Sequence, residues 1–351
     1  MRRALLLALL AALALPAAAA GVPAGAGDAP ASLDVAAATA VQRETTAARL
    51  DRYALEEELS RVESTDTKKR LLFEAATAVE IRISGLRDDQ RALRAAYLER
   101  EIETSTFVRR MARLDARAGL LREHLDVIQA QADAIPQFSL RARVRLLGAG
   151  LFGFEGPVRD RAAAVMAGSE PATRLYVQAS STGAVLATID DGRYVREAHR
   201  ADHQDAETSS IGFDEANDRA SELYPTAYNL SNSLQTGLNS VSGGLFRIDI
   251  ELQEGTITAY MDGSTGEVFF EVQERRLDLL GSRPSAVGVD NGTRLAVNRS
   301  YPGGPLAVAV TDEETGAPVD ATVLVDGHPV GTGPDGQAWV LAPAKVTFEV
   351  T

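Results

Sequence analysis

At 351 residues the chain is long enough for two or three domains with real cores. It carries 49 Asp+Glu against 36 Lys+Arg, a net charge of −13, which argues against a nucleic-acid partner and against docking on an anionic membrane surface. Cysteine is absent, which excludes disulfides, thiol nucleophiles, iron–sulfur clusters and Cys-ligated zinc.

Only Lys68, Lys69 and Lys345 are lysine. A carboxylate-dense, lysine-poor surface stays hydrated where salt screens charge repulsion, so the composition points to work in brine. Residues 1–20 read as a secretory signal: Arg2 and Arg3 precede the apolar run Ala4–Leu15, and Pro16 with Ala17–Ala20 supplies a small-residue cleavage site. An uncleaved membrane anchor is the alternative, because the apolar stretch reaches Val22. Residues 21–32, rich in Gly, Ala and Pro, read as a flexible linker.

Residues 33–135 read as helical. Leu72, Ala76, Val79, Ile83, Leu86, Leu93 and Tyr97 form one apolar stripe, with Gln90 its single polar interruption. Phe107, Met111, Leu114, Ala118, Leu121, Leu125, Ile128, Ala132 and Ile135 form a second, stepping by threes and fours. Taken as Leu72–Tyr97 and Phe107–Ala132 the stripes are equally long, about 38 Å at helical rise. A polar link at Glu101–Thr106 makes an antiparallel helical hairpin, with Thr104 or Ser105 capping the second arm. The Phe107–Ile135 seam fits either the core of a bundle or a coiled coil for a partner or for self-association, with Phe107, Met111, Leu114, Leu121, Leu125 and Ile128 as contacts. An earlier stripe, Val41, Ala48, Leu55, Leu59 and Val62, belongs to a third helix or to an extension of the first arm.

Residues 136–280 alternate like half-buried strands at Arg174–Ala179, Ala184–Ile189, Leu245–Leu252, Thr256–Met261 and Glu267–Gln273. Helical patches stand at Pro157–Met166, started by its proline, and at Phe213–Leu223. The stretch Val177-Gln-Ala-Ser-Ser-Thr-Gly-Ala-Val-Leu186 echoes Tyr260-Met-Asp-Gly-Ser-Thr-Gly-Glu-Val-Phe269. Each predicts a hairpin, with Gly183 and Gly266 supplying positive φ, and the pair predicts two related helix-plus-hairpin units.

Phe213-Asp-Glu-Ala216, Ala220, Tyr224-Pro225, Tyr260-Met-Asp262 and Thr265-Gly-Glu-Val268 resemble the PepSY domain, a small α+β module of exported proteins often associated with peptidase propeptides. That resemblance covers about sixty residues and is structural, carrying over no catalytic residue; the polar insert Asn229–Gly243 departs from the pattern. The order of parts resembles that of uncharacterised exported proteins of haloarchaea, which implies a surface or secreted role.

Residues 281–351 carry Val308-Ala-Val-Thr-Asp312, Thr315-Gly-Ala-Pro-Val319, Ala321–Val325 and Asp335-Gly-Gln-Ala-Trp-Val340. They look like the carboxypeptidase-regulatory, transthyretin-like β-sandwich, with Ser285–Val297 needed to complete it. The fold class is therefore an α+β multidomain chain: helical hairpin or coiled coil, PepSY-like α+β middle, small all-β sandwich.

Of the four histidines only His199 and His203 form a constellation, at i and i+4 with Asp202 and Asp205 adjacent, but without the glutamate of a His-Glu-x-x-His zinc site and in a polar run that reads as a loop. Ser242 has no Gly-x-Ser-x-Gly elbow, and no Gly-rich loop has phosphate-cradling spacing. The carboxylate pairs Asp88-Asp89, Asp190-Asp191 and Asp312-Glu313-Glu314 are ordinary in so acidic a chain, and the turns at Asp262, Asp290 and Asp335 lack the spaced ligands of a calcium loop. Asn229, Asn291 and Asn298 head glycosylation sequons. No catalytic, metal or cofactor site is assigned.

The expectation is a non-catalytic, salt-adapted interaction or structural protein outside the cytoplasmic membrane, secreted or on the cell surface. Its partner is a protein, an envelope component or a second copy; nucleic acid is not expected, and membrane only through an uncleaved amino terminus. A peptidase-inhibitor-like or chaperone-like factor is the alternative implied by the PepSY resemblance. A metal-dependent hydrolase centred on His199 and His203 is the second.

Overall fold

The computed structural model describes residues 7–10, 25–32, 34–205, 211–225, 228, 235–241, 244–301, 303–325, 327–341 and 345–350. The chain is mixed α+β, with a helical region followed by β domains, and divides into two compact units. The larger holds residues 23–186 and 196–273, the smaller residues 1–22, 187–195 and 274–351. Two short strands come first, β1 (Leu7–Leu10) and β2 (Gly25–Ala31), then five helices: α1 (Val35–Arg61), α2 (Thr65–Leu98), α3 (Thr104–Asp133), α4 (Arg141–Ala149) and α5 (Pro157–Met166). A run of strands β3 (Thr173–Ala179), β4 (Gly183–Asp190) and β5 (Arg193–Arg200) leads through a 3-10 turn, Ala201–His203, to α6 (Phe213–Leu223). Next come β6 (Gln235–Val241), β7 (Leu245–Leu252), β8 (Gly255–Asp262) and β9 (Glu267–Arg276). The chain closes with β10 (Arg283–Asp290), β11 (Thr293–Arg299), β12 (Leu306–Asp312), β13 (Thr322–Val325), β14 (His328–Gly331), β15 (Gln337–Val340) and β16 (Lys345–Val350).

In the larger unit α2 and α3 form the expected hairpin, and α1 is a separate helix. Val62 leaves the helical region of φ/ψ space, and Ser64 starts α2 by accepting the Thr67 N–H. Asp34 caps α1 in the same way through Ala37. The start of α3 differs from expectation: Glu103 is the N-cap without a side-chain bond, while the Thr104 hydroxyl pairs with the Tyr97 hydroxyl at 3.2 Å. Both apolar stripes face inward, with Leu72, Ala76, Ala118 and Ile128 wholly buried. Phe107, Met111, Leu114, Leu121, Leu125 and Ile128 are at most 7% exposed, because α3 packs on α1, α2 and α5 of its own unit. They are core, which corrects their reading as a partner surface.

Eight strands run in the order β2-β3-β4-β5-β9-β8-β7-β6, so two sequential runs meet through β5 and β9. Gly25–Ala31, read as linker, is the edge strand of this sheet, antiparallel to β3 with Asp28 opposite Tyr176. Local composition hid it, since its ladder partner lies about 150 residues on. Of the two echoed hairpins, Gly266 has the expected positive φ of 70°. Gly183 does not; a Cβ there would stand 2.5 Å from the His199 carbonyl oxygen, so its glycine admits the close approach of β5. α6 buries Ala216 and Ala220 against Ile248, Ile250, Ala259 and Met261.

In the smaller unit two four-stranded sheets, β10-β11-β12-β15 and β1-β16-β13-β14, share one core of Leu295, Val297, Leu306, Val308, Val310, Val323, Val325 and Val340. β10 and β11 complete the sandwich as the sequence requires. Leu7–Leu10, within the segment expected to be a leader, lies antiparallel to β16. Among the described residues no helix is long and apolar enough to cross a membrane.

Candidate functional site

The larger unit buries a polar centre where β5 meets the N-terminus of α5. Arg159 and Glu197 are each 1% exposed. The Arg159 Nε donates to Glu197 Oε1 at 2.6 Å, and its remaining N–H groups reach the carbonyls of Gly153, Phe154 and Glu155. Glu197 Oε2 accepts the Val158 N–H at 3.1 Å, placing a carboxylate at the positive end of the helix that Pro157 starts. A Cβ on Gly156 would collide with Glu197 Oε2, so glycine is required for the carboxylate to reach the backbone.

Asp115 of α3 approaches the same helix end, accepting the Gly156 N–H at 2.8 Å. Burial and a hydrogen bond shared with Asp160 push its carboxyl up to about 9, against the pull of Arg159. His199, two residues beyond Glu197, is held down to about 3 by burial and by Arg159 and Arg94, and is therefore neutral. Its Nδ1 is buried with no hydrogen-bond partner. A Cβ on Gly153 would stand 2.5 Å from His199 Nε2, so a second glycine makes room for this ring.

A cavity of about 710 Å³ opens beside this centre between α2, α4 and the end of β5. Gln90, Arg94 and His199 line it among buried residues, with Ile83, Leu147 and Leu245 as its apolar wall. Gln90 Nε2 donates to the Gly153 carbonyl at 3.3 Å, and Gln90 Oε1 accepts Arg94 Nη1 at 3.2 Å. Exposed Arg87, Arg91, Glu80 and Asp205 form the rim.

The residues singled out from sequence go elsewhere. His199 ends strand β5 and His203 lies in the 3-10 turn, where its Nδ1 is 2.8 Å from the Val268 carbonyl, so the pair does not share a helix face. Among the described residues no three His, Asp or Glu side chains converge as a metal site. The carboxylate pairs serve the surface: Asp88 and Asp89 bind Arg91 and Arg117, and Asp312 closes its own turn through Thr315. Asp262, by contrast, is buried and accepts the Ser264 and Asp205 N–H groups. Asn291 sits at a hairpin tip with φ 50°, Asn298 lies on β11, and Asn229 and Ser242 fall outside the described residues.

Sequence reasoning missed Arg159, Glu197, Asp115 and Arg94. The available signals were Gln90 interrupting an apolar stripe and the paired glycines before Pro157.

Three family models match successive parts of the chain. Residues 21–171 match a domain of unknown function (DUF7096), 175–281 a family of unknown function (DUF7094), and 285–351 an archaeal fibronectin-III type-like domain. The last match falls on the segment that resembled a carboxypeptidase-regulatory sandwich. No curated protein and no solved structure matches the chain. The matches indicate a multidomain chain whose three matched segments are, in order, helical, α+β and small β.

Proposed function

We propose that the chain is a non-catalytic interaction or structural protein of the cell exterior, adapted to high salt, in which the fibronectin-III-type-like module makes the contact. The observation that carries this reading is the outer strand of that module. β10 has no hydrogen-bonded neighbour on its far side among the described residues, and it turns Val287 and Val289, 47% and 45% exposed, to solvent. Pro284 and a register break before Ala286 blunt the start of β10, which leaves Ala286–Val289, with apolar side chains at alternate positions, as the stretch that can accept a partner strand. The acid-rich, lysine-poor composition and the amino-terminal leader pattern support the exterior, saline setting. The resemblance of the middle segment to PepSY modules, and of the module order to haloarchaeal exported proteins, supports a protein or envelope component as the partner.

The test follows the full chain through cell fractionation in its native salt. Recovery with the envelope or the medium is expected, and Val287→Lys with Val289→Lys should release the envelope-bound share without changing the circular dichroism. Recovery in the cytosol, or envelope retention indifferent to both lysines, refutes the proposal.

A further inference from the structure

Arg94 lies 3% exposed inside the larger unit and makes no ion pair among the described residues; its hydrogen bonds go to Gln90 Oε1 and to the Ser181 carbonyl. Arg87, one rim residue of the same cavity, likewise has no carboxylate partner there. Nearby arginines behave differently: Arg82, Arg91 and Arg117 bind Asp51, Asp88 and Asp89. Arg94 feels the carboxylate of Asp202 only through space, because Asp202 is bonded to Arg200, so two arginines around one cavity lack an ion pair in a chain with 49 acidic residues, and this needs an explanation. A buried guanidinium is costly without an anion, and so is the buried, unpartnered Nδ1 of His199 on the same cavity wall.

We propose that the cavity between α2, α4 and β5 binds a small organic monocarboxylate, its carboxylate held by Arg94 and Arg87 beside His199 and its apolar body against Ile83, Leu147 and Leu245. The single negative charge follows from the balance of the lining. Arg91 is occupied by Asp88, and Glu80 and Asp205 stand on the rim, so a dianion such as phosphate meets repulsion that a monocarboxylate meets less. The apolar body follows from size, since about 710 Å³ far exceeds what a carboxylate alone would fill, and from the leucine and isoleucine wall. A guanidinium fork suits a planar carboxylate, and a neutral imidazole can donate one hydrogen bond to it. The inference stands apart from the edge-strand proposal, because its residues lie in the larger unit.

The experiment is calorimetric titration of the full chain in molar KCl with hexanoate, with hexanamide as the uncharged isostere and with inorganic phosphate. Hexanoate should bind about tenfold or more tightly than either. Arg87→Gln, on the cavity rim, should weaken hexanoate by about tenfold and leave hexanamide unchanged, with circular dichroism reporting its folding. Arg94→Gln should abolish the preference for the acid over the amide, with circular dichroism reporting its folding. Equal binding of acid and amide, tighter binding of phosphate, or an Arg87→Gln protein that binds hexanoate as the parent does would each overturn the proposal.

Discussion

Replacing Glu197 by glutamine isolates the charge at the polar centre while keeping its shape. Among the described residues Glu197 is the only carboxylate bonded to Arg159, whose other N–H groups face the backbone carbonyls of Gly153, Phe154 and Glu155. A glutamine amide also leaves either Arg159 Nε or the Val158 N–H facing an NH₂ donor. Both residues are 1% exposed, so water cannot take over either role. Breaking a buried pair from one side costs about 3–5 kcal/mol, and a unit of this size loses about 2–4 °C of Tm per kcal/mol, so the expected shift is roughly 6–20 °C. Arg159→Met should cost as much by stranding the carboxylate. The double variant Arg159→Met with Glu197→Gln removes both charges and should cost at least about 2 kcal/mol less than the sum of the singles. Thermal unfolding followed by far-UV circular dichroism, at one KCl concentration and pH, gives all three values. A Glu197→Gln shift below about 2 °C, or strict additivity within about 0.5 kcal/mol, refutes the claim that this pair is a coupled, desolvated unit.

The remaining predictions concern protons, glycines and salt. Asp115 binds its proton more tightly folded than unfolded, so the stability it contributes is present below about pH 4 and is lost as pH rises toward about 9. Asp115→Asn should flatten that alkaline decline in a Tm–pH series, and an unchanged slope means Asp115 is ionised in the fold. His199 has the opposite sign: its folded pKa near 3 lies below the unfolded value, so stability is lost as pH falls from about 6.5, and His199→Gln should remove that acid-side loss. Gly156→Ala should destabilise by driving Glu197 off the helix N-terminus, whereas Gly85→Ala and Gly119→Ala, with nothing within 4 Å of the added methyl, should each stabilise by about 0.5–1 kcal/mol. Equal signs in melting experiments would contradict the packing described. Finally, ellipticity should fall as KCl is lowered from molar to about 0.1 M, because unscreened carboxylates repel; a flat response would remove the argument for salt adaptation.

Periodicity made much of the fold readable. The two equal stripes give the α2–α3 hairpin, Pro157 gives the start of α5, and the alternation in Leu245–Leu252 and Thr256–Met261 gives β7 and β8. It failed where the pattern is carried by another segment. Gly25–Ala31 has no strand composition of its own and is extended because β3 offers a ladder. Arg193–Arg200 reads as polar, yet β5 lies in the middle of the eight-stranded sheet with Arg196, Glu197 and His199 buried. The charges of Glu197 and Arg196 are met there, Glu197 by Arg159 and the α5 N-terminus and Arg196 by Glu271 at 2.9 Å.

The sequence by itself determined what is local: which faces of α2 and α3 are apolar, where Pro157 starts α5, and the acidic, cysteine-free character of the whole; it showed neither α4 nor the break between α1 and α2. Tertiary structure alone decided what those faces meet. It turned the Phe107–Ile128 seam into core, ordered the eight strands, and brought Arg94, Arg159, Glu197 and His199 from three distant segments around one buried centre. The physical reason is that a stripe or an alternation records only the need to be buried. Burying a charge depends on a partner, and that partner is fixed by contacts between residues far apart in the chain.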